Sequence, residues 1–455
     1  MVSKFIIMRL CHYIILLSFL FSDRGDIYSI ELVDYKTAGQ IQVEIDEYLS
    51  DNSVNIEAVY DVSLYKVVYE TIDGYGDIEL ASGVIGVPES SEHAFGIMSW
   101  QHGTVVKRNS VASVAGFNII SMAYGTSGYV YTEPDYIGLG AESEDFHPYC
   151  IEIPSANAVV DIIRAAKNFC NSSNVQLNEQ VSLVGYSEGG YATLAAQKLM
   201  EQDYADEFKI AVSFPMAGPY DMSGTMVDVM LNNTELYGKP YYLPYVLLAY
   251  IEYYDLGELN DFFLPEYAEM LPVWFDGYHS DSYIDDQLPN PPIQILLPEL
   301  IEEFSNNPNH FLRLHLEDND LINWTPQSNT YLIHAIGDEL IPFENAQIAY
   351  DNFIINGSEN ITLSLMPESY GGHQEAAPYA LIAAFQTGLT YQHINPLGDV
   401  NIDEQIDVSD VIIIVDYIMN SSSLDDYLSW AADMNSDNML DILDVIDLIN
   451  NILEE

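Results

Sequence analysis

The segment Gly185-Tyr186-Ser187-Glu188-Gly189 sits between an apolar run at 181–184 and a stretch of small residues that begins at Gly189. Two glycines around a serine permit a sharp strand-to-helix turn that lifts the hydroxyl clear of a sheet. A serine hydroxyl becomes a nucleophile when a base takes its proton, and that base needs a carboxylate to hold it. Both partners follow in the order such a turn requires. Asp338 lies in Ile336-Gly337-Asp338-Glu339-Leu340-Ile341-Pro342, and His373 in Tyr370-Gly371-Gly372-His373-Gln374, each directly after a strand-like run. Among the other histidines, His334 falls inside a strand, His279, His310 and His315 precede the acid, and His12 lies in the leader. Glu339 is the alternative acid. The negative charge that develops during acyl transfer needs N–H donors. One is the backbone of Glu188, and the other comes from Gln101-His102-Gly103-Thr104, with Thr104 preferred and Gly103 the alternative. His102 precedes the nucleophile and suits a buttress for that loop.

A second constellation lies near the C-terminus, where a twelve-residue pattern occurs twice. Asp399, Asn401, Asp403, Gln405, Asp407 and Asp410 recur in register as Asp433, Asn435, Asp437, Met439, Asp441 and Asp444. Side-chain oxygens at loop positions 1, 3, 5, 9 and 12, with a backbone carbonyl at position 7 (Gln405, Met439), match what one Ca2+ ion requires. Position 6 favours glycine for its sharp turn, and the chain has Glu404 and Asn438 there. Asn tolerates left-handed backbone better than Glu, so the first loop is expected to bind calcium more weakly than the second.

The elements that must position these groups alternate between strand-like and helix-like stretches. Residues 62–69 and 78–87 read as an antiparallel pair around the turn Asp73-Gly74-Tyr75-Gly76. Short buried strands are expected at 94–100, 128–131, 180–185, 210–214, 331–336 and 361–366, and helices at 155–169, 189–202, 343–355 and 375–387. That alternation predicts a mainly parallel sheet covered on both faces. Residues 219–330 interrupt it with a segment rich in Tyr, Leu and Pro.

Thirteen basic against 70 acidic residues set a net charge of −57 in a chain of 455 residues, which excludes nucleic acid and anionic membrane surfaces as partners. Lys4 and Arg9 before an apolar run at 10–21 read as an export signal, assigned to residues 1–28, and the run is too short to serve as a membrane anchor. Cys11 lies inside that run, and Cys150 with Cys170 either form one disulfide or remain two buried thiols.

Residues 60–390 resemble the α/β-hydrolase superfamily, particularly its secretory-lipase-like branch. The likeness rests on His102-Gly103-Thr104, Pro134-Asp135-Tyr136-Ile137-Gly138-Leu139-Gly140, His147-Pro148-Tyr149, the serine turn with Gly190, Gly337-Asp338 with Pro342, and Gly371-Gly372-His373. It implies an α/β-hydrolase fold over 29–392, a helical lid at 219–330, and ester hydrolysis through an acyl-enzyme. The lid tyrosines would either touch substrate or pack the lid. The duplicated loops, each followed by an apolar helix, resemble a type I dockerin over 393–455. That resemblance implies two calcium sites, a cohesin-type partner on a scaffold or cell surface, and a docking face at Val408-Ser409 and Ile442-Leu443. The combined reading is a secreted, tetherable serine hydrolase of a small ester or acyl lipid, with no cofactor for catalysis. A serine peptidase on the same fold and a non-catalytic dockerin-borne binding protein are the alternatives.

Overall fold

The computed structural model describes residues 23–49, 55–140, 145–231, 236–420 and 426–454. Its centre is a ten-stranded sheet: β1 Ile27–Lys36, β2 Val62–Ile72, β3 Ile78–Pro88, β4 His93–Gln101, β5 Tyr129–Pro134, β6 Leu177–Tyr186, β7 Lys209–Met216, β8 Asn329–Ala335, β9 Ile361–Met366 and β10 Ile394–Pro396. The spatial order is β1-β2-β3-β5-β4-β6-β7-β8-β9, with β10 off this path on β4. From β5 to β9 neighbouring strands run parallel, and β1, β2 and β3 add an antiparallel wing.

The central strands are apolar nearly throughout because both faces are covered. Ile97 and Leu183 join the core beneath the helices Glu152–Ser172 and Glu188–Asp203, while their neighbours Met98 and Val184 join the core of the opposite face. There the helix His373–Leu389 lays Ala376, Ala380 and Ala384, one per turn, close against the sheet.

Residues 217–328 connect β7 to β8 as a mainly helical insertion. It leaves the body through the π-helical turn Met222–Met226, whose cap Asp221 accepts the Thr225 N–H at 2.7 Å. It returns beside that turn, where Asp320 accepts the Ser223 N–H at 2.9 Å and the Ser223 hydroxyl at 2.6 Å. Burial raises the Asp320 carboxyl to about 6, against the pull of these hydrogen bonds. The insertion's tyrosines grip the body. Tyr245 donates to Val105 O (2.9 Å), Tyr237 to Leu340 O (2.8 Å) and Tyr250 to Cys150 O (3.0 Å). These three hydroxyls pack the insertion onto loops flanking the serine.

Contacts at both ends of the fold bear on where its limits are drawn. Residues 1–22 of the expected leader lie outside the described residues, as do Cys11 and His12, but residues 23–28 are built into the fold. Arg24 meets Asp161 at 3.1 Å, the Gly25 N–H donates to Glu70 O at 2.8 Å, and β1 starts at Ile27. At the other end, the expected boundary at 392–393 precedes β10, which pairs with His93, Ala94 and Phe95 of β4. Asn395 is buried there, accepting from Asn178 at 3.0 Å and donating to Asp399 at 2.9 Å. Beyond it, helices Val408–Asn420 and Ile442–Glu454 close around Ile414, Val445 and Leu448. Cys150 and Cys170 are free thiols, both buried, so the disulfide alternative is removed. Among the described residues no helix is long and apolar enough to cross a membrane.

Candidate active site

Ser187 sits at the β6-to-helix turn with φ 64° and ψ −126°, backbone angles that a non-glycine residue adopts only when its surroundings hold it there. The Ser187 N–H donates to Met216 O at 2.9 Å, which ties the turn to β7. A Cβ added at Gly189 would collide with Gln101 O, and one at Gly190 with Met216 O, so both glycines allow the turn to press against neighbouring strands.

His373 opens its helix behind the serine and presents both ring nitrogens to partners. Its Nε2 lies 2.8 Å from Ser187 Oγ and its Nδ1 2.6 Å from Asp338 Oδ2. The loop after β8 holds Asp338, whose other oxygen accepts the N–H groups of Leu340 (3.0 Å) and Ile341 (2.8 Å). Burial pushes the Asp338 carboxyl upward, but hydrogen bonds from His334 and His373 outweigh it and bring the group down to about 2. Asp338 is therefore a carboxylate that accepts only, which leaves Nδ1 of His373 protonated and Nε2 free to receive the serine proton. Glu339, the alternative acid, instead accepts the backbone N–H of His373 at 3.1 Å.

The Glu188 N–H stands at the start of the helix Glu188–Asp203, where first-turn amides have no partner within the helix and the dipole favours negative charge. Gly103 faces the same point: a Cβ there would lie 3.5 Å from Ser187 Cβ. The Thr104 hydroxyl is 2.9 Å from Tyr149 OH. Both ring nitrogens of His102 face carbonyls, Gly103 O at 2.8 Å and Asp135 O at 3.3 Å, and the ring has no bond to the serine.

Three contributors escaped sequence reasoning. His334 approaches Asp338 Oδ2 at 3.2 Å, although its place inside β8 marks it as core. Tyr186 donates to His373 O at 2.6 Å. Glu188 uses its side chain as well, lying 2.6 Å from His147 Nε2. The signal for the last was the segment His147-Pro148-Tyr149, whose chemistry is invisible until the fold brings residues 147 and 188 together.

The two C-terminal loops share one hydrogen-bond pattern. Asp399 accepts the N–H groups of Asp403 (3.0 Å) and Glu404 (2.9 Å), as Asp433 accepts those of Asp437 (3.1 Å) and Asn438 (2.8 Å). Asp410 accepts the Asp407 N–H at 2.9 Å, as Asp444 accepts the Asp441 N–H at 2.8 Å. Glu404 (φ 65°) and Asn438 (φ 60°) are both left-handed, so Glu adopts the turn that its residue type disfavours. Among the described residues no three His, Cys, Asp or Glu side chains converge on one metal-sized point. Yet Asp399, Asp410 and Asp444 are fully buried, with loop amides among their partners and, among the described residues, no Lys or Arg paired with them. Burial and the neighbouring Asp399 raise the Asp410 carboxyl, against the loop amides that lower it. Buried acidic oxygens of this kind fit a hard cation.

A family model for secretory lipases matches residues 109–238. A solved structure from Legionella pneumophila subsp. pneumophila str. Philadelphia 1 shares 25% identity and a TM-score of 0.73, covering 80% of this chain and 98% of that one. The rice cell wall degrading esterase LipA from Xanthomonas oryzae shares 25% identity and a TM-score of 0.71, over 81% of this chain and 97% of that one. Candida antarctica lipase A in its closed state is similar in fold, at 17% identity and a TM-score of 0.55, covering 80% and 83%. No curated protein matches the chain. The chain thus has an α/β-hydrolase-like fold of the lipase and esterase type, with a mostly parallel sheet and helices on both faces.

Proposed function

We propose that this protein is a secreted serine hydrolase of carboxylic esters that works through an acyl-enzyme. One observation carries the reading: a single buried imidazole bridges Ser187 Oγ and an ionised Asp338, at 2.8 and 2.6 Å. In the first step Ser187 Oγ attacks the ester carbonyl while His373 Nε2 takes its proton. The oxyanion is received by the Glu188 N–H and a donor from Gly103-Thr104. His373 then returns the proton to the departing alcohol, which leaves Ser187 acylated. A water molecule, deprotonated by the same nitrogen, releases the acid and restores the serine.

The insertion at 217–328 acts as a lid in this reading. Ser187 is 5% and His373 4% exposed, so substrate must be let in past neighbouring segments. Within the insertion, a pocket of about 90 Å³ is lined entirely by apolar side chains, among them Met226, Val246, Leu300 and Phe304. Its apolar lining suits the methylenes of an acyl chain, from either a lipid or a glycan-linked ester. Export follows the apolar run at 10–21, with processing before Asp23 because Arg24 and Gly25 belong to the fold. The C-terminal loops supply the oxygen set for two calcium ions, and calcium there would draw the carboxylates together and order the module. Val408, Ile442 and Leu443 are exposed at loop positions 10 and 11 and would meet a cohesin-type partner.

The test is hydrolysis of nitrophenyl esters of graded acyl length beside aminoacyl anilides. The reading predicts ester turnover that Ser187→Ala abolishes, and anilide turnover at least a hundredfold lower. Preferred cleavage of anilides would make the enzyme a peptidase, and no turnover of either would favour a binding role.

A further inference from the structure

We propose that His147 neutralises the side chain of Glu188 beside the forming oxyanion, making this buried pair a positioning device for the oxyanion donor. The inference rests on the serine-hydrolase reading. His147 Nδ1 lies 2.8 Å from Ile137 O, which can only accept, so Nδ1 carries a hydrogen. Nε2 lies 2.6 Å from Glu188 Oε1, so a second proton sits between them, on the ring or on the carboxyl. Either arrangement leaves the pair without net charge. Both side chains are 2–3% exposed, and Oε2 of Glu188 is buried without a hydrogen-bond partner. A bare carboxylate would be costly in that place.

The location gives neutrality its consequence. By covalent geometry the Glu188 carboxyl lies within about 6 Å of its own backbone N–H, the group that would receive the oxyanion. Without its proton partner, that carboxylate would set a like charge against the transition state in a water-poor site. The nearby Arg108 donates instead to Asp145 O at 3.1 Å. Tyr136 stacks on His147 at 5.7 Å and Tyr245 packs at 6.1 Å. The contact is also built from the backbone side: Gly138, at φ 82°, passes so close that a Cβ would lie 2.6 Å from the His147 N and Cα.

A double-mutant cycle on the full chain tests this, reading kcat and KM on one soluble ester. His147→Gln should lower kcat about a hundredfold with KM changed less than threefold. Glu188→Gln removes the charge but still offers an N–H to His147 Nε2, and should cost about fivefold. The double variant should recover to within about threefold of Glu188→Gln, because no carboxylate then remains to oppose the oxyanion. A purely structural pair would leave the double variant as impaired as His147→Gln or worse, and that result overturns the proposal. So does His147→Gln activity within threefold of the wild type. Should His147→Gln alone fail to fold, the comparison of the double variant with Glu188→Gln carries the test, a gap above tenfold being contrary. An active Ser187→Ala control would sink the hydrolase reading itself, whereas an inactive control beside unaffected pair variants would sink only this inference.

Discussion

Two imidazoles on one carboxylate govern the chemistry of Asp338. With the group brought to about 2 by His334 and His373 against its burial, it remains ionised at any pH where the protein works. The stability contributed by ionised Asp338 is complete above the unfolded value near 4 and is lost as pH falls through about 2. Asp338→Asn should lower kcat by about 10⁴, since Asn can present a donor to His373 Nδ1 and favour the wrong tautomer. The melting-temperature gap between wild type and this variant should stay constant from pH 5 to 8 and shrink below pH 4. A gap that grows on acidification would contradict the assigned ionisation. At this scale the site was legible, because a serine turn, an acid and a histidine each announce themselves by neighbours in sequence. What stayed hidden depends on spatial neighbours: His334 reads as a core residue of β8, and His147 shows no chemistry until Ile137 O and Glu188 close around it.

The insertion is held at its root by Asp221, Ser223 and Asp320, and its stability should therefore depend on pH. Asp320 is raised to about 6, so its contribution is complete below the unfolded value near 4 and is lost as pH rises through about 6. Asp320→Asn should remove that slope. Melting curves at pH 4.5 and 7.5 should show the variant gaining on the wild type at the higher pH, and an equal difference at both would refute it. Higher in the insertion, Val246→Trp should fill the apolar pocket. Its kcat/KM on a long-chain ester should fall at least tenfold while that on an acetyl ester stays within about twofold; parallel losses would mean that the pocket is only core. Among the elements, β4 and β6 to β9 were readable as short apolar runs between turn signals. β1 was not, because a ten-residue edge strand beginning at Ile27 sits beside a leader-like run. Nor was β10, whose Ile394-Asn395-Pro396 becomes a strand only by borrowing β4 as its partner.

Across the whole molecule, β10 ties the C-terminal module to the N-terminal end of β4, whereas Ser187 follows the C-terminal end of β6, the parallel neighbour of β4. A partner docked on the module would meet the end of the sheet remote from the serine. Truncation after Leu397 should keep esterase activity within about twofold of the full chain. Truncation after Tyr391 removes β10 and the buried Asn395 and should lower the melting temperature by several degrees. Calcium removal by a chelator should change the amide spectra of the module and leave ester turnover intact; a fall in turnover would show that the loops act on the site. The central claim is that one serine carries the acyl group. Mass spectrometry of protein quenched during turnover of a slow nitrophenyl ester tests it directly. One acyl adduct is expected, on the peptide containing Ser187 and absent from Ser187→Ala. Wild-type turnover by Ser187→Ala, or an adduct on another residue, would contradict it.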